Sequence, residues 1–177
     1  MPIVAPVVAD TYDLLVGVDT HAASHTYAII DAATGALIEH REFPTSSPGL
    51  RRAQDWINRR TDPRSVLVLI DGAGSYGAVL TDKLLAAGFD LAEAPDVSKQ
   101  VRHSSAKSDT IDAAEIARAA RGLTIAQLRR PRQGADRTIL RVLSAARDQM
   151  TGERTRTVNA LTALLRVAAL GIALESR

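Results

Sequence analysis

Two carboxylates stand three residues apart in the stretch from Lys107 to Arg118, which lacks glycine and proline and is rich in helix-forming residues. On a helix, residues three apart lie on one face, so Asp109 and Asp112 would present their carboxylates together. Such a pair could bind a hard divalent cation, which prefers oxygen ligands. The alternative is that the two carboxylates only cap the N-terminus of a solvated helix, since acidic residues are favoured in the first turn, where the helix dipole is positive. A metal site would need further carboxylates from elsewhere in the chain.

Further carboxylates follow the two most apolar runs of the sequence. Residues 14–18 predict a buried strand that runs into Asp19, and residues 65–70 predict a second that runs into Asp71. Sites in α/β sheets form at the carboxyl ends of strands, so these carboxylates converge if the two strands are neighbours. The acidic helix could then cover the same edge of the sheet.

Four carboxylates in one small site would repel one another and retain protons unless a cation compensated them. Mg²⁺ suits such a site because it takes oxygen ligands, and Mn²⁺ is the alternative. A pair of divalent ions can stabilise the attacking and leaving oxygens of a displacement at phosphorus. The sequence therefore favours phosphodiester chemistry, provided that the four acidic residues do meet.

The elements that would position these residues form a mixed α/β pattern. A β-hairpin is predicted over residues 24–43, with its turn at Ala33-Thr34-Gly35, and the first eleven residues resemble a loose leader. The other predicted elements are helices at 50–60, 76–87, 96–103 and 109–121, a strand at 89–94 and a connector at 122–133. A sheet that begins with a hairpin and continues with helical crossovers is a mixed sheet flanked by helices.

Composition excludes several classes of protein. The chain has 177 residues, enough for one domain with a helical appendage, and 46% of them are hydrophobic. There is no cysteine, which excludes disulfides and thiolate metal sites and fits a reducing bacterial cytoplasm. No signal peptide or membrane span is evident, so no membrane partner is expected.

Charge is distributed unevenly along the chain. Residues 1–100 have a net charge of −5 and residues 101–177 a net charge of +7, and 13 of the 14 basic residues in the second part are Arg. This balance favours a polyanionic partner, although an Arg-rich composition would also produce it. From Asp136 onward a long helix is predicted, with an apolar stripe through Leu143 and Leu161 and a possible break at Gly152. Such a stripe favours a partner helix from a second subunit or from further chain.

Three segments resemble the signature blocks of a known family. They are Val16-Gly17-Val18-Asp19, Asp71-Gly72-Ala73-Gly74-Ser75-Tyr76-Gly77 and Ala106-Lys107-Ser108-Asp109-Thr110-Ile111-Asp112-Ala113. They are similar to blocks of the insertion-sequence-110 DEDD transposases, which are related to the Piv invertases. Characterised members of this family are guided by a bridge RNA. The resemblance covers about residues 13–170.

The resemblance implies a ribonuclease H-like, RuvC-like fold over residues 12–122, followed by a basic, coiled-coil-like helical segment over 123–177. It implies metal binding and catalysis by Asp19, Asp71, Asp109 and Asp112, action on DNA in transposition, guide RNA and a homo-oligomer. The expected phosphate-binding residues are Lys107, Arg137, Arg141, Arg154 and Arg156. Two departures stand out: Asp71 replaces the family's usual Glu, and the family's serine-bearing C-terminal domain is not expected within this chain.

Other interpretations compete with this one. The acidic residues could be structural within a non-catalytic nucleic-acid-binding or assembly module. Gly72, Gly74 and Gly77 have the spacing of a dinucleotide-binding turn, with Glu93 about 20 residues on, although a charged Asp71 would then lie beside the pyrophosphate. Asp19-Thr20 also resembles the phosphate loop of sugar kinases and actin-like proteins. The four histidines have no metal-ligand spacing, so His21 and His103 are expected to be bystanders near the acidic site.

Overall fold

Five strands form one mixed sheet in the order β3-β2-β1-β4-β5. The computed structural model describes residues 5–95, 109–131 and 135–168. The strands are β1 (Leu14–Thr20), β2 (Ser24–Asp31), β3 (Leu37–Pro44), β4 (Val66–Ile70) and β5 (Asp90–Glu93). The helices are α1 (Val8–Thr11), α2 (Ser47–Thr61), α3 (Ala78–Ala86), α4 (Asp109–Ala120) and α5 (Ala135–Val167), with a 3₁₀ turn at Ile125–Gln127.

Strand direction divides the sheet into two parts. Strands β1, β2 and β3 pair antiparallel, whereas β4 pairs parallel to β1, and β5 parallel to β4. Antiparallel neighbours need only tight turns, and the parallel ones are reached through the crossovers that contain α2 and α3. This is the mixed, ribonuclease H-like sheet with flanking helices that the sequence predicted, and the long helix follows it.

Both faces of the sheet are covered, which explains why β1 is apolar at successive positions. One face packs against α2 and α3 in a core that includes Trp56 and Leu80. The other packs against α4, whose Ala113, Ala117 and Ala120 are buried. Small side chains on this helix allow it to lie close to the strands.

The chain divides into two compact units, Met1–Arg132 and Gln133–Arg177. The first includes the segment expected to be a loose leader: Val8 in α1 is fully buried, and its N–H donates to the Leu123 carbonyl at 2.9 Å. That expectation was wrong for residues 5–11, because a short apolar segment gives no periodic signal of the long-range pairing that buries it; residues 1–4 lie outside the described residues. The predicted helix at 96–103 lies outside the described residues.

Two further differences concern element limits. Helix α3 begins at Ala78 rather than residue 76, since Gly72 to Gly77 form a turn. The proposed break at Gly152 is wrong, because α5 runs from Ala135 to Val167 as one helix. Within the part of the chain that the structure describes, no helix is long and apolar enough to cross a membrane.

Candidate functional site

The carboxyl ends of β1 and β4 lie side by side. The two strands pair in parallel from Leu14 opposite Val66 to Val18 opposite Ile70. The ladder continues past the strand end, because the N–H of Asp71 donates to the carbonyl of Val18 at 2.9 Å. Asp19 follows Val18 directly, so the backbones of Asp19 and Asp71 meet at one edge, hereafter the acidic edge.

Asp19 is a nearly buried carboxylate, with 8% of the residue exposed. Side chains alternate along a strand, so Asp19 lies on the face of Gly17, which is the face covered by α4. Burial raises the pKa of Asp19; the neighbouring His21 opposes this shift, and the charges of Asp112 and Asp71 add to it. The field of both carboxylates therefore reaches Asp19, although they come from two other elements of the fold.

Gly17 allows α4 to approach β1 at this place. A Cβ atom on Gly17 would lie 1.9 Å from the carbonyl oxygen of Ala113 and 3.0 Å from the N atom of Ala117. Only glycine fits where two backbones are so close. Since Asp112 precedes Ala113, this contact carries the Asp112 carboxylate toward the acidic edge.

The opposite end of α4 is tied to the β2–β3 turn, which sets the direction of the helix. Arg118 Nε donates to the Gly35 carbonyl at 3.0 Å, and Arg121 Nε donates to the Ala32 carbonyl at 2.8 Å. That turn lies at the far edge of the sheet, where β2 ends and β1 begins. The first turn of α4, with Asp109 and Asp112, therefore points to the acidic edge.

The structure describes the side chains of only some of the predicted site residues. The structure brings Asp19, Asp71 and Asp112 to the acidic edge, with Asp112 exposed. Asp109 is the first residue of α4, but its side chain lies outside the described part of the structure. Lys107 lies outside the described residues altogether.

Two residues to which the sequence analysis gave no role at the metal site hold this edge together. Thr20 Oγ1 donates to the carbonyl of Asp71 at 2.7 Å, which joins β1 to the start of the following turn. Gly17 is the second; a glycine inside an otherwise apolar strand is a recognised sign of close backbone approach and could have been noticed. His21 also contacts the site, since its Nε2 lies 3.0 Å from Asp19 Oδ2.

The glycine-rich turn does not have the features of a dinucleotide site. The amides of Ser75 and Gly77 both donate to the carbonyl of Gly72, at 2.7 and 3.1 Å. Amides used in this way cannot cradle a pyrophosphate, which needs donors directed outward. Gly72, with φ +63°, and Gly77 instead permit a tight turn beside Thr20. The turn shapes the acidic edge.

The acidic edge has the donor chemistry of a divalent-metal site. Carboxylate oxygens from three separate elements suit Mg²⁺ or Mn²⁺, and a cation would offset the repulsion that acts on Asp19. Among the side chains that the structure describes, no three His, Asp or Glu residues form a ready metal cluster. The side chain of Asp109, the fourth predicted carboxylate, lies outside these described side chains.

The second unit presents arginines and apolar side chains on one long helix. Arg154 and Arg156 are exposed in α5, whereas the side chains of Arg137 and Arg141 lie outside what the structure describes. Large apolar residues on the same helix are also exposed, at 49–67% of their area. They are Ile139, Leu140, Val142, Leu143, Met150, Val158, Leu161 and Leu164.

The sequence profile of one protein family, that of the insertion-sequence-110 DEDD type described as "Transposase", matches residues 16–169. The chain belongs to this family. The match begins at Val16 within β1, so that it includes Asp19, and it covers the whole of α5. The transposase chain therefore includes a DNA-acting domain of its family. Among curated proteins no sequence matches it.

Solved structures resemble the transposase chain in fold. Thermus thermophilus RuvC in complex with a Holliday junction substrate is 13% identical, with a TM-score of 0.44, over 63% of this chain and 99% of that one. The fowlpox virus Holliday junction resolvase is 10% identical, with a TM-score of 0.41, over 60% and 94% of the two chains. The large terminase nuclease of the thermophilic phage G20c with bound zinc is 16% identical, with a TM-score of 0.39, over 62% of each chain.

Proposed function

We propose that this chain is the metal-dependent catalytic domain of a transposase, which cleaves and transfers DNA phosphodiesters with an RNA guide. Asp19, Asp71, Asp109 and Asp112 hold Mg²⁺ or Mn²⁺ at the acidic edge. The observation that carries this proposal is the parallel pairing of β1 with β4 as far as Asp71, together with the Gly17–Ala113 contact that seats α4 beside the nearly buried Asp19. Bound there, the cation supplies Lewis-acid stabilisation of charge on the phosphate oxygens.

The energetics of the edge support a cation. Burial disfavours the charged form of Asp19, and so do the negative charges of Asp112 and Asp71. Both effects raise the pKa of Asp19. The fold retains the arrangement through the Gly17–Ala113 contact and the Thr20–Asp71 hydrogen bond. Carboxylates held together at the end of a sheet, with a raised pKa for one of them, are typical of a functional site that binds a cation.

Metal binding tests the proposal directly. Saturating Mn²⁺ should raise the melting temperature by several degrees, since a ligand at 100 times its Kd stabilises by about 2.7 kcal/mol. The double variant Asp109→Asn with Asp112→Asn should lose this rise. Asp55→Asn with Asp148→Asn is the matched control, because it makes the same charge change at two exposed helix positions. An equal rise in the acidic-edge variant would refute the site.

A second candidate is a non-catalytic nucleic-acid-binding or assembly module. It is favoured by the absence of a ready three-residue metal cluster among the described side chains. The same titration separates the two candidates. A structural role predicts no Mn²⁺ response in the native chain and a lower melting temperature without metal in the double variant.

Nucleic-acid binding is assigned to the arginines of α5, on the basis of the exposure of Arg154 and Arg156 and the +7 charge of residues 101–177. Replacing four of them with Gln should weaken binding to duplex DNA and to structured RNA, and reduce the slope of log affinity against log salt by about 3 to 4. The four are Arg137, Arg141, Arg154 and Arg156. The charge-matched control changes Arg51, Arg52, Arg59 and Arg64, all exposed in the first unit. Equal slopes in the two variants would remove α5 from the interface.

The exposed apolar side chains of α5 support pairing with a second copy of the chain. Patches of this kind on water-exposed helices are typical of protein interfaces. Leu161→Asp should shift the protein toward monomer in analytical ultracentrifugation, with the circular dichroism of the sheet retained. Val79→Asp is the control, since Val79 is 62% exposed in the first unit. An unchanged mass for Leu161→Asp would show that α5 does not mediate assembly.

A further inference from the structure

His21 is in direct contact with the acidic edge. Its Nε2 atom lies 3.0 Å from Asp19 Oδ2. About half of the imidazole is exposed, at 53%, while the Asp19 side chain is only 12% exposed. The half-exposed His21 ring therefore contacts the nearly buried Asp19 carboxylate from the solvent side.

The backbone that carries His21 is anchored on both sides. The N–H of His21 donates to the carbonyl of Ser24 at 3.1 Å, which closes the turn between β1 and β2. Thr45 holds the tip of this turn: its Oγ1 lies 3.1 and 3.2 Å from the carbonyl oxygens of Ala22 and Ala23, and its N–H donates to Ala23. Rotation of the His21 ring is thus the main freedom left at this position.

The contact has a specific geometric consequence for Asp19. A carboxylate has two equivalent oxygens and a terminal torsion with only broad, two-fold preferences. A donor fixed on Oδ2 removes this freedom and directs Oδ1 away from the ring. Metal-binding carboxylates in proteins are commonly held by a hydrogen bond from a neighbouring group, and loss of such a partner typically weakens metal binding by about 10- to 100-fold.

We propose that His21 is a positioning residue, which donates from Nε2 to Asp19 Oδ2 and leaves Oδ1 to bind the divalent cation. This inference rests on the proposed function, because it assigns a role toward the cation at the acidic edge. It gives His21 a role that the sequence analysis had not expected. The ring contacts the ligand residue and does not bind the cation itself.

The test is Mn²⁺ affinity, measured by calorimetry on the purified chain. His21→Ala should weaken binding about 10-fold. His21→Gln should restore it to within about threefold, since the Gln amide can donate over a similar reach. His40→Ala is the matched control, because His40 is an exposed histidine on the edge strand β3. Circular dichroism of each variant without metal checks the fold.

Electron spin echo spectroscopy of Mn²⁺ bound to the native chain provides a second, independent measurement. Positioning through Asp19 predicts no imidazole nitrogen coupling to the ion. A coupling that disappears in His21→Gln would make His21 a ligand and overturn the positioning role.

The other outcomes separate this inference from the function on which it rests. If the native chain binds Mn²⁺ and His21→Ala binds equally well, the positioning role fails and the proposed function stands. Tighter binding by His21→Ala would show that the ring competes with the cation, which also overturns the inference. If the native chain binds no Mn²⁺, the proposed function fails first and the inference fails with it.

Discussion

Replacing Gly17 with Ala should damage the fold and the acidic edge together. The added Cβ would lie 1.9 Å from the carbonyl oxygen of Ala113, whereas real Cβ contacts are essentially never below 3.0 Å. The helix and strand would therefore have to separate by at least about 1 Å. The position of the added Cβ is fixed by the β1 backbone, and the atom it meets is a backbone carbonyl oxygen, so no side-chain rotation can relieve the contact.

The expected cost follows from that displacement. Overpacking a core costs typically about 1–3 kcal/mol, and a backbone conflict belongs at or above the upper end of that range. A loss of about 3 kcal/mol is a large share of the 5–15 kcal/mol that stabilises a typical protein. Helix α4, which would be displaced from β1, carries Asp112. A displacement of about 1 Å at a functional site can lower activity about 100-fold. Mn²⁺ binding should thus weaken in molecules that are still folded.

Urea unfolding and calorimetry with Mn²⁺ at low temperature measure the two effects separately. Gly122→Ala is the matched control, since a Cβ there would meet nothing within 4 Å; its stability should stay within about 0.5 kcal/mol of the native value. If Gly17→Ala were as stable as this control, α4 would not be seated on Gly17. If Gly17→Ala were less stable yet bound Mn²⁺ normally, the packing of α4 would be separate from the site.

Three further predictions concern stability. The buried Tyr27 hydroxyl has no hydrogen-bond partner among the described residues. Tyr27→Phe should therefore leave the free energy of unfolding unchanged or raise it by up to about 1–2 kcal/mol in urea denaturation. A clear decrease in this free energy would show that the hydroxyl does have a partner. The hydrogen bond from Trp56 Nε1, aided by the Arg60 guanidinium, lowers the pKa of Glu39 below its ordinary 4.5. The resulting stability is present above pH 4.5 and is lost as pH falls through the lowered pKa. The native chain should therefore melt at a higher temperature than Glu39→Gln above pH 4.5, and this difference should vanish in acid. A difference in melting temperature that stays constant with pH would contradict the prediction. Gly152→Ala should stabilise α5 by about 0.5–1 kcal/mol in thermal melts followed at 222 nm, since glycine weakens a helix interior, and a lower melting point would argue against a continuous helix.

The sequence by itself determined the elements and the chemical type of the site. Apolar runs of five or six residues predicted β1 and β4, because burial on both faces demands continuous apolar sequence. The carboxylate after each run lies at or next to the strand's end: Asp19 is the penultimate residue of β1, and Asp71 directly follows β4. The spacing of Asp109 and Asp112 predicted the acidic start of α4, and the signature blocks identified the transposase family. These signals are local, so they can be found without coordinates.

The tertiary structure alone decided how these parts meet. Strand order cannot be inferred from the apolar runs, and the contact of Gly17 with Ala113 joins residues nearly one hundred positions apart. The same holds for Val8, which lies in a short apolar segment without helical or strand periodicity and is buried where its N–H donates to the carbonyl of Leu123. His21 gave no metal-ligand spacing, and its contact with Asp19 is visible only in the folded chain. Contacts between distant segments depend on strand pairing and helix packing, which local sequence patterns do not encode.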